Sequence, residues 1–151
     1  MTTTDIPHVT IYSDGACKGN PGKGSWAAVL LFEKEDGAVE KEISGIRMHT
    51  TNNQMELTAA VEALQCLKQR CKVTLYSDSA YIVNAFQQHW ITNWQRNGWK
   101  TKTKEPVKNR ELWETLLDLC DRHDVTFAKV KGHAGVHYNE RVDTLANLAL
   151  E

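Results

Sequence analysis

The sequence lacks any uninterrupted apolar run approaching the roughly 20 residues of a membrane-spanning helix. Its opening, Met1-Thr2-Thr3-Thr4-Asp5, has neither the basic region nor the apolar core of an export signal. A soluble, cytoplasmic protein with no membrane attachment is expected. Cys17, Cys66, Cys71 and Cys120 form no CxxC pair and no zinc spacing, so reduced thiols are expected rather than disulfides or a zinc site. A charge excess is missing too: a net charge of −1 argues against indiscriminate nucleic-acid binding and requires any polyanion surface to be local. No linker or shift of composition divides the 151 residues. With 41% hydrophobic and 25% charged, they suit one domain over residues 1–151, residues 1–7 being a flexible lead. No extra apolar segment suggests a second copy, and a monomer is expected.

The charge that is present is unevenly spread. Residues 90–110 hold Arg96, Lys100, Lys102, Lys104, Lys108 and Arg110 against Glu105 alone, a local +5, whereas residues 33–42 hold five acids and two lysines. An acidic chain can therefore present a polyanion-binding side. Three tryptophans, Trp90, Trp94 and Trp99, lie within or beside this basic run without a long apolar stripe, so residues 90–108 read as an exposed protrusion.

The chain is organised around Ile11-Tyr12-Ser13-Asp14-Gly15-Ala16-Cys17-Lys18-Gly19-Asn20-Pro21-Gly22. Residues 8–13 alternate as a strand, and Gly15 to Gly22 supply turn residues, so Asp14 is expected at a strand end entering a glycine-rich turn. The phrase returns at Leu75-Tyr76-Ser77-Asp78-Ser79-Ala80. If the two strands are parallel neighbours, their carboxylates sit side by side.

Residues 26–32 and 39–46 read as two further strands joined at Glu35-Asp36-Gly37, giving an antiparallel meander. Thr51 is a natural N-cap for a helix with Leu57, Ala60, Val61, Leu64 and Leu67 at helical spacing, and Glu56 lies near its start. Residues 72–77 form a fourth strand, Ser79 caps the next helix, residues 110–120 form another, 125–130 a fifth strand, and a last helix begins near Asn139. A mixed α/β fold follows, a five-stranded mixed sheet flanked by helices on both faces, because a strand-helix-strand crossover implies parallel pairing. The last helix is expected to set Val142, Leu145, Ala146 and Ala149 on its buried side and to leave Asp143 on another face with Asn139 and Asn147.

Asp14, Glu56, Asp78 and Asp143 thus come from two strand ends and two helices. Clustered without cations they would repel, and at least one would hold a proton. Two divalent ions balance four such charges, and oxygen-only ligands favour Mg²⁺ or Mn²⁺. The plain alternative is that these acids merely cap turns.

Together with Thr50-Thr51-Asn52-Asn53-Gln54-Met55-Glu56-Leu57, Ser77-Asp78-Ser79, Val130-Lys131-Gly132-His133-Ala134-Gly135 and Asn139-Glu140-Arg141-Val142-Asp143, the first motif resembles type 1 ribonuclease H of the bacterial kind, in order, over residues 9–150. That resemblance implies the ribonuclease H-like fold and two-metal endonucleolytic cleavage of the RNA strand of RNA/DNA hybrids, leaving 5′-phosphate and 3′-hydroxyl ends. Asp14, Glu56, Asp78 and Asp143 would hold two Mg²⁺ ions, with Mn²⁺ as a substitute. His133 matches the family's loop histidine, and flanking glycines suit it to moving protons. Cys17, Asn20, Asn52 and Asn53 would line the RNA backbone and its 2′-hydroxyls. Thr51 and Asn109 match a DNA-phosphate pocket, Trp90 and Trp94 the DNA strand, and Lys100 the basic protrusion. Trp26 and Trp113 are expected in the core.

Several positions depart from the family: His49 for a pocket arginine, Ala80 for a longer polar residue, Asn147 for a frequent basic one, and Gly24-Ser25-Trp26 for the second glycine pair. Two other readings compete. One is a non-catalytic hybrid-binding module, against which all four acids and His133 speak. The other is an actin-like phosphate-handling enzyme, suggested by the aspartate-glycine loop alone. Gly19 to Ser25 is no P-loop, because Gly24 stands where Ser or Thr must hold Mg²⁺.

Overall fold

The computed structural model describes residues 6–34, 37–130 and 136–150. Its elements are β1 (His8–Lys18), β2 (Gly22–Lys34), β3 (Gly37–Thr50), α1 (Asn52–Gln65), β4 (Lys72–Ser77), α2 (Ala80–Gln87), α3 (Trp90–Arg96), α4 (Arg110–Arg122), β5 (Asp124–Lys129) and α5 (Val136–Ala149). The five strands form one mixed sheet in the order β3-β2-β1-β4-β5. The meander β1-β2-β3 is antiparallel, whereas β4 and β5 run parallel to β1. Before β1, the Pro7 carbonyl already accepts from Lys72 N at 2.8 Å, so the anchored chain begins ahead of the ladder. Residues 1–5, most of the expected lead, lie outside the described residues.

Strand alternation assigns the two faces. Val9 and Ile11 of β1, Ala28 and Leu30 of β2, and Val73 and Leu75 of β4 join Leu57, Ala60, Leu64, Ile82, Trp113 and Leu116 in one core under α1, α2 and α4. Tyr12, on the other face of β1, meets Tyr138 of α5. Helices therefore cover both faces, as the sequence indicated. Among the described residues no helix is long and apolar enough to cross a membrane.

Two expectations are corrected. The glycine-rich stretch is not a turn from Gly15 onward: β1 continues through Lys18, paired Gly15 to Trp26 and Lys18 to Lys23, and only residues 19–21 turn. Asp14 therefore lies within β1, beyond its last parallel pair, Tyr12 with Tyr76. Gly15 is needed for close approach, since a Cβ there would stand 2.6 Å from Glu56 N and 2.8 Å from Met55 Cβ. The second correction concerns the protrusion. Its lysines are exposed, but Ile91 and Val107 are buried, and Trp90, Trp94 and Trp99 pack partly buried against the core, Trp94 edge-on to Trp113 at 5.4 Å. Trp113 is fully buried as expected, whereas Trp26 is only half-buried.

Candidate metal and hybrid-binding site

Parallel pairing of β1 with β4 brings Asp14 beside Asp78, which follows the last residue of β4. Helix α1 supplies the third acid. Thr51 caps it by accepting from Gln54 N at 3.2 Å, and Glu56 follows in its second turn. One carboxylate oxygen each of Asp14, Glu56 and Asp78 lies within 4.8 Å of the others, close enough to share a divalent ion. Glu56 is fixed from two sides: Gly15 N donates to its Oε1 at 2.6 Å and Ser77 Oγ to its Oε2 at 3.3 Å. Ser77 Oγ in turn accepts from Ser79 N at 3.0 Å. The fourth acid, Asp143 of α5, stands outside this triad, near enough to Asp14 to help raise its carboxyl.

Burial and the neighbouring charges of Glu56 and Asp78 push the Asp14 carboxyl far above the ordinary range, and Asp143 adds to the rise. Burial also raises Glu56, against the lowering effect of the Gly15 N–H that it accepts. A divalent cation would relieve both, because it stabilises the charged carboxylates that burial disfavours. Asp14, Glu56, Asp78 and Asp143 together make a hard, oxygen-only ligand set, which fits Mg²⁺ or Mn²⁺. His133 lies outside the described residues, as do its flanking glycines.

A polar rim surrounds the acids. Asn20 Oδ1 accepts from Asn52 N at 3.1 Å, tying the β1–β2 turn to the start of α1, where Asn52 and Asn53 are exposed. Cys17 is half-buried under the same turn, its thiol 2.8 Å from the Gly19 carbonyl. Thr51 Oγ1 accepts from Gln54 N in the cap, and its hydroxyl can still donate. Asn109 stands at φ 64° before α4, its Oδ1 accepting from Gln54 Nε2 at 3.2 Å and its Nδ2 donating to Tyr81 Oη at 3.3 Å. Trp90 and Trp94 line a shallow hollow with Asn93 and the exposed Lys100.

Sequence reasoning missed three residues of this rim and named a fourth, Arg110, only as part of the basic run. Gln54 bridges Thr50 and Asn109, Tyr81 accepts from both Asn109 and Trp113, and Arg47 and Arg110 line the hollow beside Asn109. Gln54 carried a signal, since Thr51-x-x-Gln54 is a capping-box pattern. Its side chain turns to the pocket instead of back to the cap. The ladder shifts register between Arg47 and Thr50, and Arg47 rather than His49 lines the hollow beside Asn109.

A mixed sheet that delivers acids from adjacent parallel strands, with one helix on each face completing the cluster, defines an α/β protein with a carboxylate centre suited to divalent ions. Comparison with known proteins narrows the class. The RNase H family model matches residues 7–151. The chain is 56% identical over 142 residues to Ribonuclease H of Symbiobacterium thermophilum, covering 94% of each, and 54% identical over 143 residues to that of Chlorobium luteolum, covering 95% of each. Among solved structures, LC9-RNase H1, a type 1 RNase H with the type 2 active-site motif, superposes with a TM-score of 0.85 at 30% identity, covering 98% of this chain and 74% of that one. LC11-RNase H1 in complex with RNA/DNA hybrid superposes with a TM-score of 0.69 at 26% identity, covering 93% and 95%. The chain belongs to the ribonuclease H family, and the resemblance read from its motifs holds.

Proposed function

We propose that this protein hydrolyses the RNA strand of RNA/DNA hybrids endonucleolytically, with two divalent ions, and leaves 5′-phosphate and 3′-hydroxyl ends. The observation that carries the reading is the convergence of Asp14, Glu56 and Asp78 within 4.8 Å, with Asp143 at Asp14, in a chain of this family. Mg²⁺ ions held there, or Mn²⁺ in their place, would supply charge stabilisation at the scissile phosphate and a ready hydroxide near neutral pH.

The chain's own residues do the rest. Asp14 and Glu56, pre-assembled by the Gly15 approach, hold oxygen ligands that need no rearrangement. Asn52 and Asn53 face the RNA backbone, with Asn20 and Cys17 shaping the turn beside them. Thr51 offers its hydroxyl, and Asn109 its remaining amide proton, to a DNA phosphate, at a hollow lined by Arg47 and Arg110 as well as Glu111. Trp90 and Trp94 flank the DNA strand, and Lys100 and its neighbours attract backbone phosphates without regard to sequence. His133 moves a proton at the leaving oxygen. The protein acts as a monomer in the cytoplasm.

Labelled hybrid, single-stranded RNA, duplex RNA and duplex DNA, each incubated with protein and Mg²⁺, test the reading directly. Cleavage confined to the RNA of the hybrid is expected. Tight hybrid binding without cleavage would instead make the protein a binding module, and cleavage of all four substrates would remove the assigned specificity.

A further inference from the structure

Helix α5 carries Asp143, and among its described residues Val142 and Ala146, with Leu150 just beyond, form a narrow buried stripe. Among the described residues, side chains tie it to the sheet at three further points. Tyr138 stacks on Tyr12 with ring centroids 5.1 Å apart and donates its hydroxyl to Glu40 Oε1 at 3.0 Å. Arg141 spans two acids of β3, donating from Nη1 to Glu40 Oε2 at 2.6 Å and from Nε and Nη2 to Glu42. The third point is Ser25 of β2, whose hydroxyl donates to the backbone carbonyl of Ala146 although 121 residues separate them.

That carbonyl is available for a reason. The end of α5 tightens, so that Leu150 N donates to Asn147 O at 3.1 Å and the Ala146 carbonyl can face the sheet. Ser25 is fully buried and pairs with Ala16, two residues from the pairing of Asp14 with Ala27. Its bond therefore pins α5 one helical turn after Asp143, on the strand next to the one that carries Asp14. The Asp143 carboxylate is also oriented on its own helix, since Asn147 Nδ2 donates to Asp143 O at 2.8 Å and to Oδ1 at 3.2 Å.

We propose that Ser25 and Arg141 are positioning residues for Asp143: they fix the axial place and rotation of α5 on the sheet, and thereby set the affinity of the ion site that Asp143 shares with Asp14. This rests on the metal-centre reading above. Neither residue touches ion or hybrid, and both act through the backbone of α5. Outer partners of metal ligands typically change affinity roughly 10- to 100-fold, and the lower end applies here because each acts through a helix.

The test is direct calorimetric titration of metal-free full-length protein with Mn²⁺, well below the unfolding temperature. The variants are Ser25→Ala, Arg141→Gln and Arg141→Lys, each also made in an Asp143→Asn background. Arg141→Gln and Ser25→Ala are expected to raise the Kd of the weaker Mn²⁺ step roughly 10-fold, with Arg141→Lys recovering at least half of the loss on a logarithmic scale. KM for hybrid at saturating metal should stay within about twofold, because the hybrid-facing rim is untouched. In the Asp143→Asn background the same substitutions should no longer alter Mn²⁺ binding, since the ligand they position is gone. The proposal is overturned if the variants lose thermal stability with Mn²⁺ binding unchanged, or if their effect persists undiminished without the Asp143 carboxylate. Wild-type protein that takes up no Mn²⁺, or takes it up equally well as Asp14→Asn, would bring down the metal centre itself.

Discussion

Helices α1 and α5 each carry one acid of the proposed centre, and they hold it by opposite physical means. Nine of the ten residues of α1 from Met55 to Leu64 are buried, and Glu56 is among them, clamped by Gly15 and Ser77. Asp143 of α5 is exposed, on a helix seated by ion pairs, a tyrosine stack and one buried hydroxyl. Placement by burial is insensitive to salt and intolerant of substitution. Placement by a polar seat responds to salt and to single side chains, because exposed ion pairs contribute little individually and are screened. One half of the centre is thus pre-built and the other is adjustable.

The largest effect should fall on the pre-built half. Asp14→Asn or Asp78→Asn is expected to lower kcat by roughly 10⁴-fold or more, as losses of central catalytic groups do, while metal-free hybrid binding stays equal or tightens because a negative charge facing phosphate is gone. Asp143→Asn should cost only about 10²-fold, in line with a ligand that reaches the cluster at one point. Steady-state cleavage of labelled hybrid in Mg²⁺ ranks them, and equal losses at Asp14 and Asp143 would erase the distinction between the two helices.

His133→Ala comes next. Positioned acid-base catalysis contributes roughly 10²- to 10⁴-fold, and water partly replaces a loop residue, so kcat should fall toward the small end of that range with KM nearly constant. The profile of kcat against pH at saturating hybrid and Mg²⁺ is the measurement. An unaltered profile would make this histidine a bystander.

The pre-built half was also the legible half. Thr51 as a cap and the stripe Leu57, Ala60, Val61 and Leu64 are local signals, and α1 forms where they place it. Asp14 was legible as a member of an acid cluster but not as a mid-strand residue, because a glycine needed for close approach and one needed for positive φ look alike in sequence. Gly19, at φ 75°, is the latter; Gly15 is not. The start of α5 at Val136, three residues before the expected Asn139, had no capping signal to announce it. The tryptophan-rich segment misled for a different reason. Helical periodicity presumes a straight element, whereas His89, Trp99, Lys104 and Asn109 all take left-handed backbone conformations that fold the segment back onto the core. Nothing in the sequence pattern near Ser25 pointed to a helix 121 residues away.

That folded-back segment sharpens the comparison between packing and charge. Its tryptophans pack on the core while Lys100, Lys102 and Lys104 stay exposed, so replacing all three lysines with alanine should raise KM several-fold and leave kcat nearly unchanged. If the lysines contact phosphates, the log-log salt dependence of hybrid binding should flatten by up to about 2 to 3 units. An unchanged slope would turn the segment away from the hybrid.

The smallest expected effect is on stability, and it separates the two halves without any substrate. In metal-free protein, burial and mutual repulsion raise the Asp14 and Glu56 carboxyls above their unfolded values. The folded state then holds protons that the unfolded chain has released, so stability must fall as pH rises from the ordinary carboxylate range toward the raised values. Below that range both states are protonated and the effect vanishes. Divalent ions must displace the same protons, so Mn²⁺ binding should strengthen with pH and release protons to the buffer. Asp14→Asn should flatten the pH dependence of Tm and raise Tm near neutrality, by about 2–4 °C for each kcal/mol of repulsion relieved in a chain of this size. Asp143→Asn should leave most of the slope in place, because Asp143 is a lesser contributor to the Asp14 shift than burial, Glu56 or Asp78. Thermal melts of the two variants and the wild type across pH 4 to 9, in chelator, decide it. A Tm that rises with pH in metal-free wild type would mean that the acids are already solvated and that the pre-built half of the centre is not pre-built.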